Sequence, residues 1–317
     1  MQELREKEKQ FGKAERGGSR RMIEVRNLYK IYRVGTNKVY ALNGVSFDIF
    51  KGEFVAIVGT SGSGKSTLLN MLAGLEPPTK GAIRIAGRRI EQMNEKELVA
   101  FRRQNVGFIF QSYNLLNTMN GLENVAMPLM FRGISRAVRE KAAMKYMKLM
   151  GVQDQAKHMP NQMSGGQQQR IGIARAMVVD PKIIFADEPT GNLDSHTTMD
   201  VLRLMQKLVH EQNKTLVMVT HDNNLASYAD KQIRIVDGKI VSVEYAERGR
   251  ELEGADAEAE ERLSLQGEAA GGKPRPNAQS SEETAKAAAT SAPETQEAAA
   301  AETVQKIRTT GNGGGEK

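Results

Sequence analysis

Nine consecutive residues, Gly59-Thr60-Ser61-Gly62-Ser63-Gly64-Lys65-Ser66-Thr67, gather small residues, hydroxyls and one lysine. They fit G-x-x-x-x-G-K-[ST], the pattern of a phosphate-cradling loop. The glycines allow a tight turn and a close approach of backbone N–H groups to an anion. In such a loop Lys65 reaches the β- and γ-phosphates of a nucleoside triphosphate, and the Ser66 hydroxyl ligates Mg²⁺. A second group is Lys182-Ile183-Ile184-Phe185-Ala186-Asp187-Glu188, an apolar run that ends in two carboxylates. Beside a phosphate loop, Asp187 can bind Mg²⁺ directly or through water. Glu188 can polarise a water for in-line attack on the γ-phosphate. A third is Met163-Ser164-Gly165-Gly166-Gln167, set ahead of a helix expected over 168–177. Two glycines at a helix start free N–H groups for an anion. One nucleotide does not need two such sites from one subunit, so this group suggests a pair of chains, each capping the other's triphosphate. A Ser N-cap followed by a glycine turn reads the same segment without any ligand.

These groups need elements to place them. Phe54-Val55-Ala56-Ile57-Val58 reads as a buried strand into the loop, and residues 66–72 as a helix out of it. Short strands are expected at 22–25, 45–49 and 82–85. The pattern over 91–176 is mostly helical, with one clear helix at 140–150 closed by Gly151. Strands return at 182–186 and 215–219 around a helix at 198–212, a β-α-β unit. Runs 232–236 and 239–242, joined by Asp237-Gly238, read as a hairpin. Residues 1–21 are a polar arm, frayed or disordered. Residues 22–245 are one folded domain, with a helical part at about 112–178. Residues 246–317 are rich in Glu, Ala, Gly, Thr, Ser and Pro, a composition expected to stay disordered.

Composition excludes several classes. The 317 residues contain no cysteine, so neither a disulfide framework nor a thiolate metal site is available. No run of 18 apolar residues exists, so no bilayer-spanning helix is expected. The first twenty residues carry no apolar signal-like run. Net charge is +7. No aromatic-interleaved basic patch accompanies it, so no nucleic-acid partner is expected. Mean hydropathy is −0.48, low for a wholly globular chain.

Taken in order, these motifs make residues 22–244 resemble the ATP-binding subunit of an ATP-binding cassette (ABC) transporter. The resemblance implies an α/β fold: a phosphate-loop nucleoside triphosphatase with an antiparallel β subdomain and an inserted helical subdomain. It implies ATP as substrate, Mg²⁺ as cofactor and a homodimer formed on ATP binding. Met163-Ser164-Gly165-Gly166-Gln167 then matches the family's signature, with Met163 where leucine is usual. Gln111 matches the residue that in the family contacts Mg²⁺ and water and senses the membrane partner. Leu193-Asp194 matches the segment after the acidic pair, and His221 the histidine that contacts the γ-phosphate. Tyr32 falls where the family stacks an aromatic on adenine.

Wider stretches, such as Ala186-Asp187-Glu188-Pro189-Thr190-Gly191-Asn192-Leu193-Asp194, resemble the group serving lipoprotein release, macrolide export and antimicrobial-peptide resistance. That group implies a separate membrane permease with an extracytoplasmic domain, and a cytoplasmic location on the inner membrane face. It also includes a cell-division ATPase, so regulation of a membrane complex without transport is the alternative. A soluble DNA- or ribosome-associated ATPase fits less well, because the chain has neither a long coiled-coil insertion nor two cassettes. Segment 112–133 carries Tyr113, Leu115, Leu116, Met119, Met127, Leu129, Met130 and Phe131, and part of it is expected to form a groove for a permease helix. Arg170 and Arg175 are expected to face solvent or hold helix contacts, with no chemistry of their own.

Overall fold

The computed structural model describes residues 20–246. The expected arm over 1–21 lies outside them except for its last two residues, and so does the expected tail beyond Ala246.

Ten strands form two sheets. The first is antiparallel, in the order β2-β1-β4-β5. Its strands are β1 (Arg21–Val34), β2 (Asn37–Phe50), β4 (Lys80–Ile85) and β5 (Arg88–Arg89). Strands β1 and β2 are far longer than the four- and five-residue runs the alternation suggested. Residues 30–40 are mostly half-exposed or exposed, so they carry no inward-outward signal, and backbone pairing across Gly35-Thr36 extends the hairpin. The second sheet runs β10-β9-β3-β8-β7-β6. Its strands are β3 (Phe54–Val58), β6 (Val106–Ile109), β7 (Ile183–Asp187), β8 (Thr215–Thr220), β9 (Lys231–Val236) and β10 (Lys239–Tyr245). All pairs in it are parallel except β9 with β10. Those two are joined through Asp237 and Gly238, both at positive φ, as a two-residue hairpin turn requires.

Strands β3, β7 and β8 at its centre are buried on both faces, which explains their nearly unbroken apolar runs. Val55, Ile57, Phe185, Val217 and Val219 face the antiparallel sheet and helix α1 (Lys65–Leu72). Ala56, Val58, Ile184, Leu216 and Met218 face the other core, with α5 (Gly165–Met177) and α6 (Ser195–Gln212). The remaining helices are α2 (Glu95–Asn105), α3 (Gly121–Met130), α4 (Arg136–Leu149) and the single turn α7 (Asn223–Ala226). Helix α3 carries a capping box between Asn120 and Glu123, and it packs with α4 and α5 through Val125, Ala126, Leu129, Ala143 and Met147.

The strand order matters most for function. Strands β3, β8, β7 and β6 are consecutive and parallel, so their C-terminal ends share one edge. At about 4.8 Å per strand, the four loops leaving that edge lie within about 15 Å. In a parallel α/β sheet such an edge is where ligands bind.

Candidate active site

The loop after β3 carries residues 59–64 and hands the chain to α1. Its shape is enforced by neighbours. Gly64 sits at φ +101, and a Cβ there would run into the Ala41 carbonyl of β2. A Cβ on Gly59 would run into the Ile235 carbonyl of β9. The β9–β10 turn closes on the loop through Gly238 N–H donating to the Ser63 carbonyl at 3.1 Å. The Ser63 hydroxyl is buried and has no hydrogen-bond partner. The first N–H groups of α1 have no acceptor within the helix and point at the space the loop encloses. Thr60, Ser61, Gly62 and Ser66 are open to that space or half-open, and Thr67 lies one residue further into α1. This is a built anion cradle.

Lys65 is 95% buried, and its Nζ donates to the Thr60 carbonyl at 2.8 Å. Burial pulls its ammonium below the ordinary lysine range, against the opposing pull of Glu188 and Asp187. The Ser66 Oγ stands 3.4 Å from Asp187 Oδ1, at the end of β7. Burial, then the Glu188 charge, push Asp187 above the ordinary carboxylate range, while Ser66 and Lys65 oppose them. Glu188 follows at φ +43, a left-handed conformation that turns its carboxylate out of the strand. It meets His221, from the loop after β8, with Nδ1 to Oε1 at 3.1 Å. An ionised carboxylate only accepts, so Nδ1 carries the proton and Nε2 is left for another partner.

Gln111 follows β6. Its carbonyl accepts from Asn192 Nδ2 at 3.0 Å, and its side-chain Nε2 lies 2.8 Å from where a Cβ on Gly191 would stand. Gln111 is thus held against the turn that leaves Glu188. Tyr32, on β1, donates its hydroxyl to Glu76 at 2.7 Å, with the Lys30 ammonium 5.2 Å from its ring centre. Thr67 of α1 also reaches that hydroxyl.

Ser164-Gly165-Gly166-Gln167 opens α5 with a reciprocal capping box. Gln167 N–H donates to Ser164 Oγ at 3.3 Å, and Ser164 N–H to Gln167 Oε1 at 2.8 Å. The Ser164 cap is thus formed, with the two glycines in the first turn of the helix. Its neighbours are Tyr113, Leu193 and Thr197. Asp194 caps α6, accepting from Thr197 N–H at 2.9 Å and Thr197 Oγ1 at 2.7 Å, and these bonds lower its pKa. Among the described residues no hydrogen bond or ion pair joins 164–167 or Asp194 to the phosphate loop. The fold thus brings together Lys65, Ser66, Asp187, Glu188, His221 and Gln111, and leaves the α5 start and Asp194 without a bond to the phosphate loop.

Three participants were not singled out from the sequence. Asn192 binds the Gln111 carbonyl; it lay within a quoted motif but had no role. Tyr113 entered only as an apolar residue, yet it sits at φ +58 with its hydroxyl 3.4 Å from the Asn192 carbonyl. Arg175 does not face solvent: it is 8% exposed and bonds two carbonyls of the turn after Gln111. Arg170 pairs with Asp200 at 3.1 Å and reaches the Met150 carbonyl.

Beside this edge lies a groove of about 650 Å³, lined by Val99, Phe108, Phe110, Met127, Pro128 and Phe131 among others, with Arg103 and Arg175 on its walls. Of the apolar residues named in the segment expected to form it, Met127 and Phe131 line it, joined by Asn114 and Pro128 of the same segment. Leu129 belongs to the core, and Leu115 packs against it. The other half of the groove comes from α2 and β6.

A family model described as ABC transporter matches residues 42–191. An ABC transporter ATP-binding protein of Thermotoga maritima is 47% identical over 225 residues, covering 71% of this chain and 96% of that protein. The macrolide export ATP-binding/permease protein MacB of Chlorobaculum tepidum is 46% identical over 220 residues. That match takes in 69% of this chain but only 34% of MacB. The dimeric structure of the cassette MJ0796 in a post-hydrolysis state, bound to ADP and Pi, superposes with a TM-score of 0.68. It is 41% identical and covers 72% of this chain and all of the other. An identity of this level over nearly the whole of the Thermotoga protein, on a matching fold, is enough to conclude that the chain belongs to the ATP-binding subunits of ABC transporters and is an ATPase.

Proposed function

We propose that this ATPase drives a separate membrane permease, one with an extracytoplasmic domain, in an export or extraction system. It works from the cytoplasmic face, as an ATP-bound homodimer. The observation that carries this reading is the groove beside Gln111. Apolar side chains dominate its lining, Phe131 being 61% exposed, and it opens next to the loop that leaves β6 for the catalytic edge. An exposed apolar groove of this kind suits a helical segment of a partner. The name of the MacB relative joins an ATP-binding part with a permease, and this chain spans about a third of that protein.

In this reading ATP lies along the loop of residues 59–67, with Tyr32 against adenine. Lys65 moves off the Thr60 carbonyl to the β- and γ-phosphates. Ser66 and Asp187, with Gln111, hold Mg²⁺: a hydroxyl and one carboxylate facing each other at 3.4 Å suit a hard cation that also takes phosphate oxygens. The ion neutralises charge that develops on the phosphates. Glu188 accepts the proton of the attacking water, and His221, tied to Glu188 through Nδ1, offers Nε2 to the γ-phosphate. Ser164, Gly165, Gly166 and Gln167 of a second copy, with Asp194 at the shared boundary, complete the site across a dimer.

The chain is free of cysteine, so single-cysteine variants report cleanly. Phe131→Cys in the groove should crosslink to a membrane protein in whole membranes. Val241→Cys, on β10 at the far edge of the same sheet and 51% exposed, should not. Crosslinks from Val241→Cys alone would remove the groove as the docking site.

A further inference from the structure

Arg175 is a charged side chain that the ATPase reading does not use. It lies on α5, ten residues beyond the helix's first glycine, and is 8% exposed. Its Nη1 donates to the Asn114 carbonyl at 2.5 Å and its Nη2 to the Tyr113 carbonyl at 2.7 Å. Among the described residues no carboxylate pairs with it. Burial pushes its guanidinium down to about 10. Burying an arginine without a counter-charge is costly, and an apolar side chain would fill the space more cheaply. The two carbonyls it grips belong to consecutive left-handed residues, Tyr113 at φ +58 and Asn114 at φ +48. Neither is glycine, so each is strained and must be held by its surroundings.

What is held connects two parts of the site. The Tyr113 hydroxyl lies 2.8 Å from where a Cβ on Gly165 would stand, so it packs directly on the bare backbone of that glycine. The same hydroxyl is 3.4 Å from the Asn192 carbonyl, and Asn192 Nδ2 donates to the Gln111 carbonyl at 3.0 Å. A closed circuit results, from Gln111 through Asn192 and Tyr113 to Arg175, and along α5 back to Gly165. Asn114 and Arg175 also stand on the wall of the groove.

We propose that Arg175 is a positioning residue for ATP hydrolysis, whose bidentate grip on the left-handed turn fixes Gln111 and the α5 start as one unit. A segment entering the groove meets that unit at Arg175 and Asn114, and so acts on both at once. The proposal rests on the assignment of Gln111 and the α5 start to the ATPase site. Its test needs no permease.

The full chain is compared with Arg175→Gln, Arg175→Lys and Arg175→Gln/Asn114→Gly for Mg·ATP affinity, kcat and Tm. Gln111→Ala and Glu188→Gln serve as controls. Arg175→Gln should keep ATP affinity, because the phosphate loop is built on other elements, and lower kcat by about tenfold to a hundredfold, the scale of a displaced catalytic geometry. Arg175→Lys should fall between, since an ammonium lacks the planar fork that spans two carbonyls. Glycine at position 114 adopts the left-handed conformation without strain, so the double variant should regain part of the lost kcat. Should Arg175→Gln not fold, the split between affinity and kcat is read from Arg175→Lys. A kcat within about twofold of wild type in both single variants overturns the proposal, as does a parallel fall of affinity, kcat and Tm. If Gln111→Ala and Glu188→Gln also leave kcat unchanged, it is the site assignment that fails.

Discussion

Asp187 shows how a site residue trades stability for chemistry. Burial and the Glu188 charge hold its pKa above the ordinary value of 3.8. A carboxyl whose folded pKa is raised binds its proton more tightly in the folded chain. Its contribution to stability is therefore best below pH 3.8 and is lost as pH rises through the raised value, so the penalty is complete at neutral pH. Asp187→Asn should raise the Tm of the nucleotide-free protein at pH 7, with a gain that shrinks towards pH 4. Thermal melts at the two pH values decide this. An unchanged or lower Tm at pH 7 would show that the Ser66 bond and the Lys65 attraction outweigh burial. Glu188 and Lys65 should separate chemistry from binding. Glu188→Gln keeps the shape of the site and removes the base, so turnover should fall about 10²- to 10⁴-fold with ATP affinity retained. Lys65→Ala should lose the triphosphate itself. Steady-state rates beside nucleotide titrations distinguish the two; wild-type turnover in Glu188→Gln would require another base.

At the scale of elements, a second side chain, besides Arg175, holds the connection after Gln111. Asn124 of α3 is fully buried. Its Oδ1 accepts from Leu116 N–H at 2.8 Å, and its Nδ2 donates to the carbonyls of Leu116, Met119 and Asn120. It stands in for strand or helix partners that this irregular segment lacks. Asn124→Ala takes the acceptor from Leu116 N–H and a donor from the Met119 carbonyl, which should cost about 1 to 3 kcal/mol. Chemical denaturation gives the loss, and hydrogen exchange at Leu116 should rise with it. A loss near zero would mean that water replaces the amide. Helix α3 and its C-cap supply Met127 and Phe131 to the groove, so the same substitution should also loosen the groove relative to the catalytic edge.

Over the whole molecule, the capping box at Ser164 and the cradle at Gly64-Lys65-Ser66 are both formed, yet among the described residues no hydrogen bond or ion pair joins them. The proposed function sets them against each other in a second copy turned head to tail; the MJ0796 cassette was solved as a dimer. Glu188→Gln with Mg·ATP should therefore sediment as a dimer at micromolar concentration, while the nucleotide-free protein stays monomeric. The wild type should reopen as it hydrolyses. A Glu188→Gln protein that remains monomeric with saturating ATP at tens of micromolar would contradict the paired site.

The sequence by itself determined the phosphate loop, the acidic end of β7, the two-residue β9–β10 turn and the α/β class. In each case the signal is local: glycine spacing, an unbroken apolar run over a strand buried on both faces, a pair of residues that tolerate positive φ. It did not show β1 and β2 at their full length, because half-exposed hairpin residues have no side to choose, and their register comes from pairing alone. Nor did it separate Leu129, which is core, from Phe131, which is groove; both are apolar, and only the packing of α3 decides which faces outward. Arg175 is the sharpest case. In sequence it is one basic residue in a helix rich in polar ones, and a solvated face is its ordinary fate. Tertiary structure buries it beside two left-handed residues sixty positions away, where the backbone offers carbonyls and no carboxylate, and that environment cannot be read from its neighbours in the chain.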